Sequence, residues 1–263
     1  MHPELFHFGS ITLYSYGFMI MIGVLVAFFV VYRNRAQLGL DLDGVSELFL
    51  YCFLGVFVGG KIFFFLEKPS YYASHMGEFF DNLGRGFVFY GSFLFTVAVL
   101  VWWFRKRGIP VAKGFDWVGI GGAFVHAFGK IGCFLSGCCH GVACDPAYGV
   151  VYTHPNSSAE PLGVPLYPVQ LWDSAIIFTC LALMFWTQKR QKFDGQLFLI
   201  YGLVYAVGRF FTEMYRGDEA RGYIIDKWLT HSQAIAMIVF ATLAVVYWRG
   251  LRGANKAGGS DAS

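Results

Sequence analysis

The sequence predicts an all-α, polytopic integral membrane protein of about seven transmembrane helices, with the N-terminus outside and the C-terminus cytoplasmic. Three observations predict it. Of 263 residues, 56% are hydrophobic and only 14% are charged, against roughly 25% charged in a soluble domain. The apolar residues fall into seven long runs, and seven spans of ~20 residues would use about 140. The Lys and Arg residues sort to one side of those runs. Such a composition excludes a disordered chain, a nucleic-acid binder and an ordinary cytosolic enzyme.

The runs place spans near 16–32, 46–66, 87–104, 115–135, 168–187, 196–215 and 231–248. The opening MHPELFHFGS has no basic region and no small-residue cleavage site, so no secretory signal peptide is expected there. Arg33 and Arg35 follow the first span, Arg105, Lys106, Arg107 and Lys113 the third, and Lys189, Arg190 and Lys192 the fifth. With Arg249, Arg252 and Lys256 in the tail, twelve of the 20 basic residues lie on one side. Basic loops stay cytoplasmic. Loops 67–86, 136–167 and 216–230 are therefore expected outside, residues 1–250 form one seven-helix domain, and 251–263 make a short disordered end.

Each charge at bilayer depth costs at least ~2.5 kcal/mol on insertion scales and needs a partner or a purpose. Lys61, Lys130, Arg209 and Glu213 are such charges. Arg209 and Glu213 stand four apart, and Tyr205 and Arg216 extend the same helical face. This is either a self-compensated ion pair or an inward stripe that binds an anion, with Glu213 orienting the Arg209 guanidinium. In the fourth span His126, Lys130, Cys133 and Gly137 share a face. A lone His there is usually a hydrogen-bonded packing residue, whereas an ammonium lacks so cheap an explanation. Two cationic stripes near the outer leaflet point to a phosphate-bearing ligand, and in a membrane that is a phospholipid head group.

Six cysteines do not suggest a disulfide scaffold here, because Cys52 and Cys180 lie within apolar runs. Around GKIGCFLSGCCHGVAC, three readings compete. Zinc would draw on Cys138, Cys139, His140 and Cys144, but adjacent cysteines ligate one ion poorly and the paired spacing of structural sites is absent. A disulfide from Cys144 to a neighbour suits an oxidising outer side. Close packing of small residues around a tight turn leads. No metal and no cofactor are expected.

Those residues carry a resemblance. Gly129-Lys130-Ile131-Gly132-Cys133-Phe134, followed by Gly137-Cys138-Cys139-His140-Gly141, resembles the signature of the prolipoprotein diacylglyceryl transferase family of bacterial inner-membrane enzymes. Tyr16-Gly17, Gly59-Gly60-Lys61, Pro168-Val169-Gln170-Leu171-Trp172-Asp173 and Arg209-Phe210-Phe211-Thr212-Glu213-Met214-Tyr215-Arg216 are similar to four further family segments, in order, over nearly the whole chain. The resemblance implies transfer of a diacylglyceryl group from phosphatidylglycerol to the lipobox cysteine thiol of a preprolipoprotein, in a multi-pass inner-membrane protein. It implies that Lys130 and Arg209 hold the phosphate, Glu213 positions Arg209, and Tyr16 and Gln170 line the lipid cavity. Lys61, His126, Cys133 and Arg216 complete the expected substrate-binding set. Family patterns place Arg where Lys130 stands, Asn where Cys133 stands and a catalytic His where Tyr90 aligns. Tyr90 can still donate or accept a hydrogen bond at that catalytic position, and His126 or His140 can substitute as the base, so the proton acceptor stays open. A non-catalytic lipid-binding member, or one lipidating a different thiol, is the alternative.

Overall fold

A computed structural model of the chain describes residues 2–9, 11–77, 88–217, 223–225 and 228–260. The fold is mostly helical and divides into two compact units, Val31–Gly114 and Met1–Val30 with Phe115–Ser263. A single domain over 1–250 was the expectation.

In the first of these, helix α2 (Leu42–Glu67) starts where the Asp41 carboxylate accepts the Gly44 N–H at 2.8 Å, meeting a donor that the first helical turn leaves unsatisfied. A short helix α3 (Pro69–Ser74) follows, and α4 (Phe89–Lys106) packs back against α2. Glycines set that crossing. A Cβ on Gly59 would overlap the Gly91 carbonyl, and one on Gly91 would overlap Phe63, so small residues bring the backbones together without a hydrophobic driving force. Ser92 Oγ donates to the Val56 carbonyl at 2.9 Å. At the opposite end Glu47 accepts from Arg107 at 2.6 Å and from the Trp103 indole at 3.1 Å.

The second unit opens with an antiparallel hairpin, β1 (Glu4–Phe8) and β2 (Ile11–Tyr14), pairing Phe6 with Leu13. Helix α1 (Ser15–Arg33) continues from it, and α5 (Val111–Ser136) lies alongside, with Gly132 close against the Tyr16 backbone. Beyond α5 a loop carries the two-residue strands β3 (Val150–Val151) and β4 (Pro165–Leu166) over a small core of Tyr152, Ala159 and Leu166. Helices α6 (Val169–Gln188) and α7 (Gln196–Glu213) pack together, and Gly208 sits against Ile176. The start of α7 is satisfied by buried Asp116, whose carboxylate accepts the Gly195, Leu197 and Phe198 amides at 2.7–3.0 Å. A last hairpin, β5 (Tyr223–Ile225) and β6 (Leu229–Thr230), leads into α8 (His231–Ser260), which packs on α7.

Seven long helices among the described residues thus coincide with the seven expected runs. Among the described residues, five are long and apolar enough to cross a membrane: Ser15–Arg33, Leu42–Glu67, Val111–Ser136, Val169–Gln188 and His231–Lys256. Phe29, Phe53, Trp186 and Ile238 are each at least 60% uncovered, apolar surface that water would not tolerate on this scale. Helix α8 continues to Ser260, so residues 251–260 are helical where a disordered end was expected. Arg85, Arg221 and Lys227 lie outside the described residues, as do parts of the loops expected over 67–86 and 216–230.

Candidate functional site: a buried guanidinium beside an ammonium and a thiol turn

Helix α7 repeats Tyr201, Tyr205, Arg209 and Glu213 at four-residue spacing, so all four share one face. Arg209 is 9% exposed and Glu213 7%, and the two are ion-paired. Glu213 also accepts from Thr230 Oγ1 at 3.4 Å, and its Oε2 lies 3.9 Å from Arg216 Nε. One carboxylate therefore serves two guanidiniums, leaving a net positive charge in a poorly hydrated place. Arg209 Nη1 is buried and has no hydrogen-bond partner among the described residues. A charged donor left so costs desolvation energy that an incoming anion would offset.

Lys130, on α5, is not the unpaired ammonium that the sequence suggests. Its Nζ lies 2.5 Å from Asp173 Oδ2 of α6, with side chains 12% and 3% exposed. His126, one turn earlier, accepts or donates through Nδ1 at 2.8 Å to the Tyr201 hydroxyl and meets Tyr205 edge-on at 5.0 Å. It is thus a hydrogen-bonded packing residue at the junction of α5 and α7. Lys130, Asp173 and Arg209 all act on it electrostatically.

The turn after α5 completes this region. Gly137 takes φ +86°, and a Cβ there would strike Ser157 Oγ; only glycine suits the left-handed position and the space. The chain is then stitched to the end of α7: Val142 N donates to Tyr215 O at 2.8 Å and Gly217 N to His140 O at 3.1 Å. This places Arg216 against Cys139. Hydrogen bonds from the Cys133 and Cys138 thiols, joined by Arg216, hold the Cys139 thiol below its ordinary range. Burial, with Asp145 nearby, pushes Cys144 up. All six cysteines are free thiols. Gln170 is fully buried at the start of α6, its Nε2 donating to Cys138 O at 2.8 Å, while its Oε1 has no partner among the described residues. Tyr16 of α1 feels the Cys133, Cys138 and Cys139 thiols electrostatically. The second unit therefore gathers Tyr16, His126, Lys130, Cys133, Gln170, Arg209, Glu213 and Arg216.

Lys61 and Tyr90 belong to the other unit. Lys61 is 5% exposed on α2, with its Nζ 5.1 Å from the Phe64 ring centre. Tyr90 opens α4 and is 58% exposed.

The sequence matches the family model described as prolipoprotein diacylglyceryl transferase across residues 3–249. The chain belongs to that family. A relative from Clostridium tetani named phosphatidylglycerol–prolipoprotein diacylglyceryl transferase is 30% identical over 237 residues, covering 90% of this chain and 93% of its own length. One from Clostridium perfringens, with the same name and the number 2, is 30% identical over 238 residues, covering 90% and 91%. A third so named, from Solidesulfovibrio magneticus, is 32% identical over 250 residues and covers 90% of each chain.

Sequence reasoning missed two parts of this site. Asp173 was read only as part of the fifth-span motif, though an acid at span depth is itself a signal that a cation lies opposite. The other is the thiol turn. Adjacent Cys138 and Cys139 were expected to serve one centre poorly, yet the sulfurs of Cys133, Cys138 and Cys139 lie within 4.8 Å of one another. Cys139 manages this with φ +60°, a dihedral that no spacing rule reveals.

Proposed function

We propose that the chain transfers a diacylglyceryl group from phosphatidylglycerol to the lipobox cysteine of a preprolipoprotein, in a bacterial inner membrane. The observation that carries the reading is Arg209: buried, ion-paired on one side and holding a spare donor on the other. Family membership supports the same reaction. In it the lipobox thiolate attacks the glycerol carbon bonded to the phosphate oxygen. A C–S bond forms, the C–O bond breaks, and glycerol phosphate leaves with the electron pair; the thiol proton passes to a base.

The phosphate gains charge as it leaves, so fixed donors there lower the barrier. Arg209 presents Nη1 to a phosphate oxygen while Glu213 fixes the guanidinium plane. Lys130 adds a second cation, held in place by Asp173, and Arg216 contributes the remaining positive charge. Gln170 and Tyr16 line the lipid's place beside the thiol turn. Lys is a point charge without the fork of an Arg, so Arg209 bears the directional contact. Tyr90 is proposed to handle the thiol proton. All seven long helices are taken as spans with the N-terminus outside. Arg105, Lys106 and Arg107 at the end of α4 then fall on the cytoplasmic side, and the paired charges of α7 make its crossing tolerable.

The test is complementation of a transferase-deficient bacterium, scored by the mass of a reporter lipoprotein. The parent protein is expected to add the diacylglyceryl mass, and Arg209→Ala to abolish it while still accumulating in the membrane. A parent that binds phosphatidylglycerol yet yields no modified reporter would establish the non-catalytic alternative. Tyr90→Phe with full activity would remove Tyr90 from proton handling.

A further inference from the structure

We propose that Cys133, Cys138 and Cys139 form a three-thiolate binding site for a divalent, thiophilic d10 metal ion such as Zn2+, with one coordination position left open. Among the described residues, this is the one group of three or more Cys, His, Asp or Glu side chains whose ligand atoms converge, and all three sulfurs lie within 4.8 Å of one another. Zinc–thiolate bonds of ~2.3 Å put sulfurs around a tetrahedral ion about 3.8 Å apart. The three thiols need shift little to meet one ion.

Two further observations favour a cation there over plain packing. Cys139 occupies the left-handed region at φ +60°. Non-glycine residues persist in that region where the surroundings over-determine them, and such positions cluster at functional sites. Here the backbone turn between the end of α5 and Gly141 brings adjacent cysteines to face the same point, next to Cys133. The second observation is charge. A metal binds thiolates, not thiols, and releases their protons. Three thiolates with Glu213, Arg209, Arg216 and a divalent ion sum to zero, whereas a monovalent ion leaves one negative charge buried. Three protein ligands with an open place match the pattern of zinc sites that keep a water or an exogenous ligand. The soft sulfur set rejects Mg2+ and Ca2+. Its charge balance draws on Arg209, Glu213 and Arg216, which the proposed phosphate site also uses, but metal binding is read without the transfer reaction.

The experiment uses the full chain, reduced and stripped with chelator in detergent micelles, with Zn2+ and Cd2+ as probes. One ion per chain is expected, with sulfur-to-cadmium charge-transfer absorption in the ultraviolet. Peptide mapping of unsubstituted protein alkylated at alkaline pH is expected to show Cys133, Cys138 and Cys139 protected by the metal while Cys144 remains reactive. Cys139→Ser is expected to weaken Cd2+ binding by at least about tenfold, and Cys144→Ser to leave it unchanged. Equal alkylation of the three cysteines with and without Cd2+ would overturn the proposal. So would undiminished binding in a Cys139→Ser protein that elutes as the parent does. The alkylation readout needs no variant, so a misfolded mutant does not rescue the idea.

Discussion

Asp173→Asn isolates the ion pair between α5 and α6. The charged atoms lie 2.5 Å apart with almost no solvent around them. At an effective dielectric of 20 the gross attraction is about 7 kcal/mol, most of it offset by the cost of drying two ions. Removing only the carboxylate keeps that cost for Lys130 and forfeits the attraction, so the expected loss is about 3–5 kcal/mol. In thermal unfolding of the detergent-solubilised protein this is a fall on the order of 10 °C. Lys130→Met alone leaves Asp173 stranded and behaves similarly. The double variant Lys130→Met with Asp173→Asn removes both charges at once and recovers most of the loss. A double-mutant coupling below about 0.5 kcal/mol, where unconnected sites already fall, would refute the claim that Asp173 is the counter-ion of Lys130.

Four further outcomes are expected. Arg209→Lys keeps the charge but loses the fork, so transfer should fall roughly a hundredfold or more, read as initial rate of reporter lipidation, with little change in melting temperature. Glu213→Gln leaves two guanidiniums facing each other and should destabilise by about 3–5 kcal/mol, measured in the same melts. Gly59→Ala drives a Cβ into the Gly91 carbonyl and should cost about 1–3 kcal/mol, whereas Gly122→Ala, with nothing within 4 Å of the new atom, should be neutral or stabilising by up to about 1 kcal/mol. The thiols should separate by pH. A lowered pKa keeps thiolate present as pH falls and a raised one delays it, so in metal-free protein Cys139 should alkylate at mildly acidic pH and Cys144 only under alkaline conditions.

The Arg209–Glu213 stripe was visible in the sequence because it is a property of one helix: four residues return a side chain to the same face, whatever the neighbours do. Much of the site's remainder is not of that kind. Lys130 and Asp173 are 43 residues apart on different helices, and no periodicity connects them. His126 could be classed as a packing residue, yet its partner Tyr201 lies 75 residues away. The thiol turn depends on one backbone dihedral at Cys139 and on the stitching of Gly141 and Val142 to Tyr167 and Tyr215. The end of α8 shows the opposite failure: a Gly- and Ala-containing polar stretch looked unstructured, but the helix propagates through it, since elongation is cheap once a helix is nucleated.

By itself, the sequence determined the helical class, the positions of seven long apolar segments and the family. The first two follow from local hydrophobicity, because a backbone in lipid must satisfy its own hydrogen bonds within a segment of fixed length; the family follows from the order and identity of the motif residues. Only the tertiary structure decided which charges neutralise each other, which guanidinium nitrogen is left over, and that three thiols meet. Those outcomes depend on contacts between distant segments, where a dry surrounding makes each pairing matter far more than it would in water.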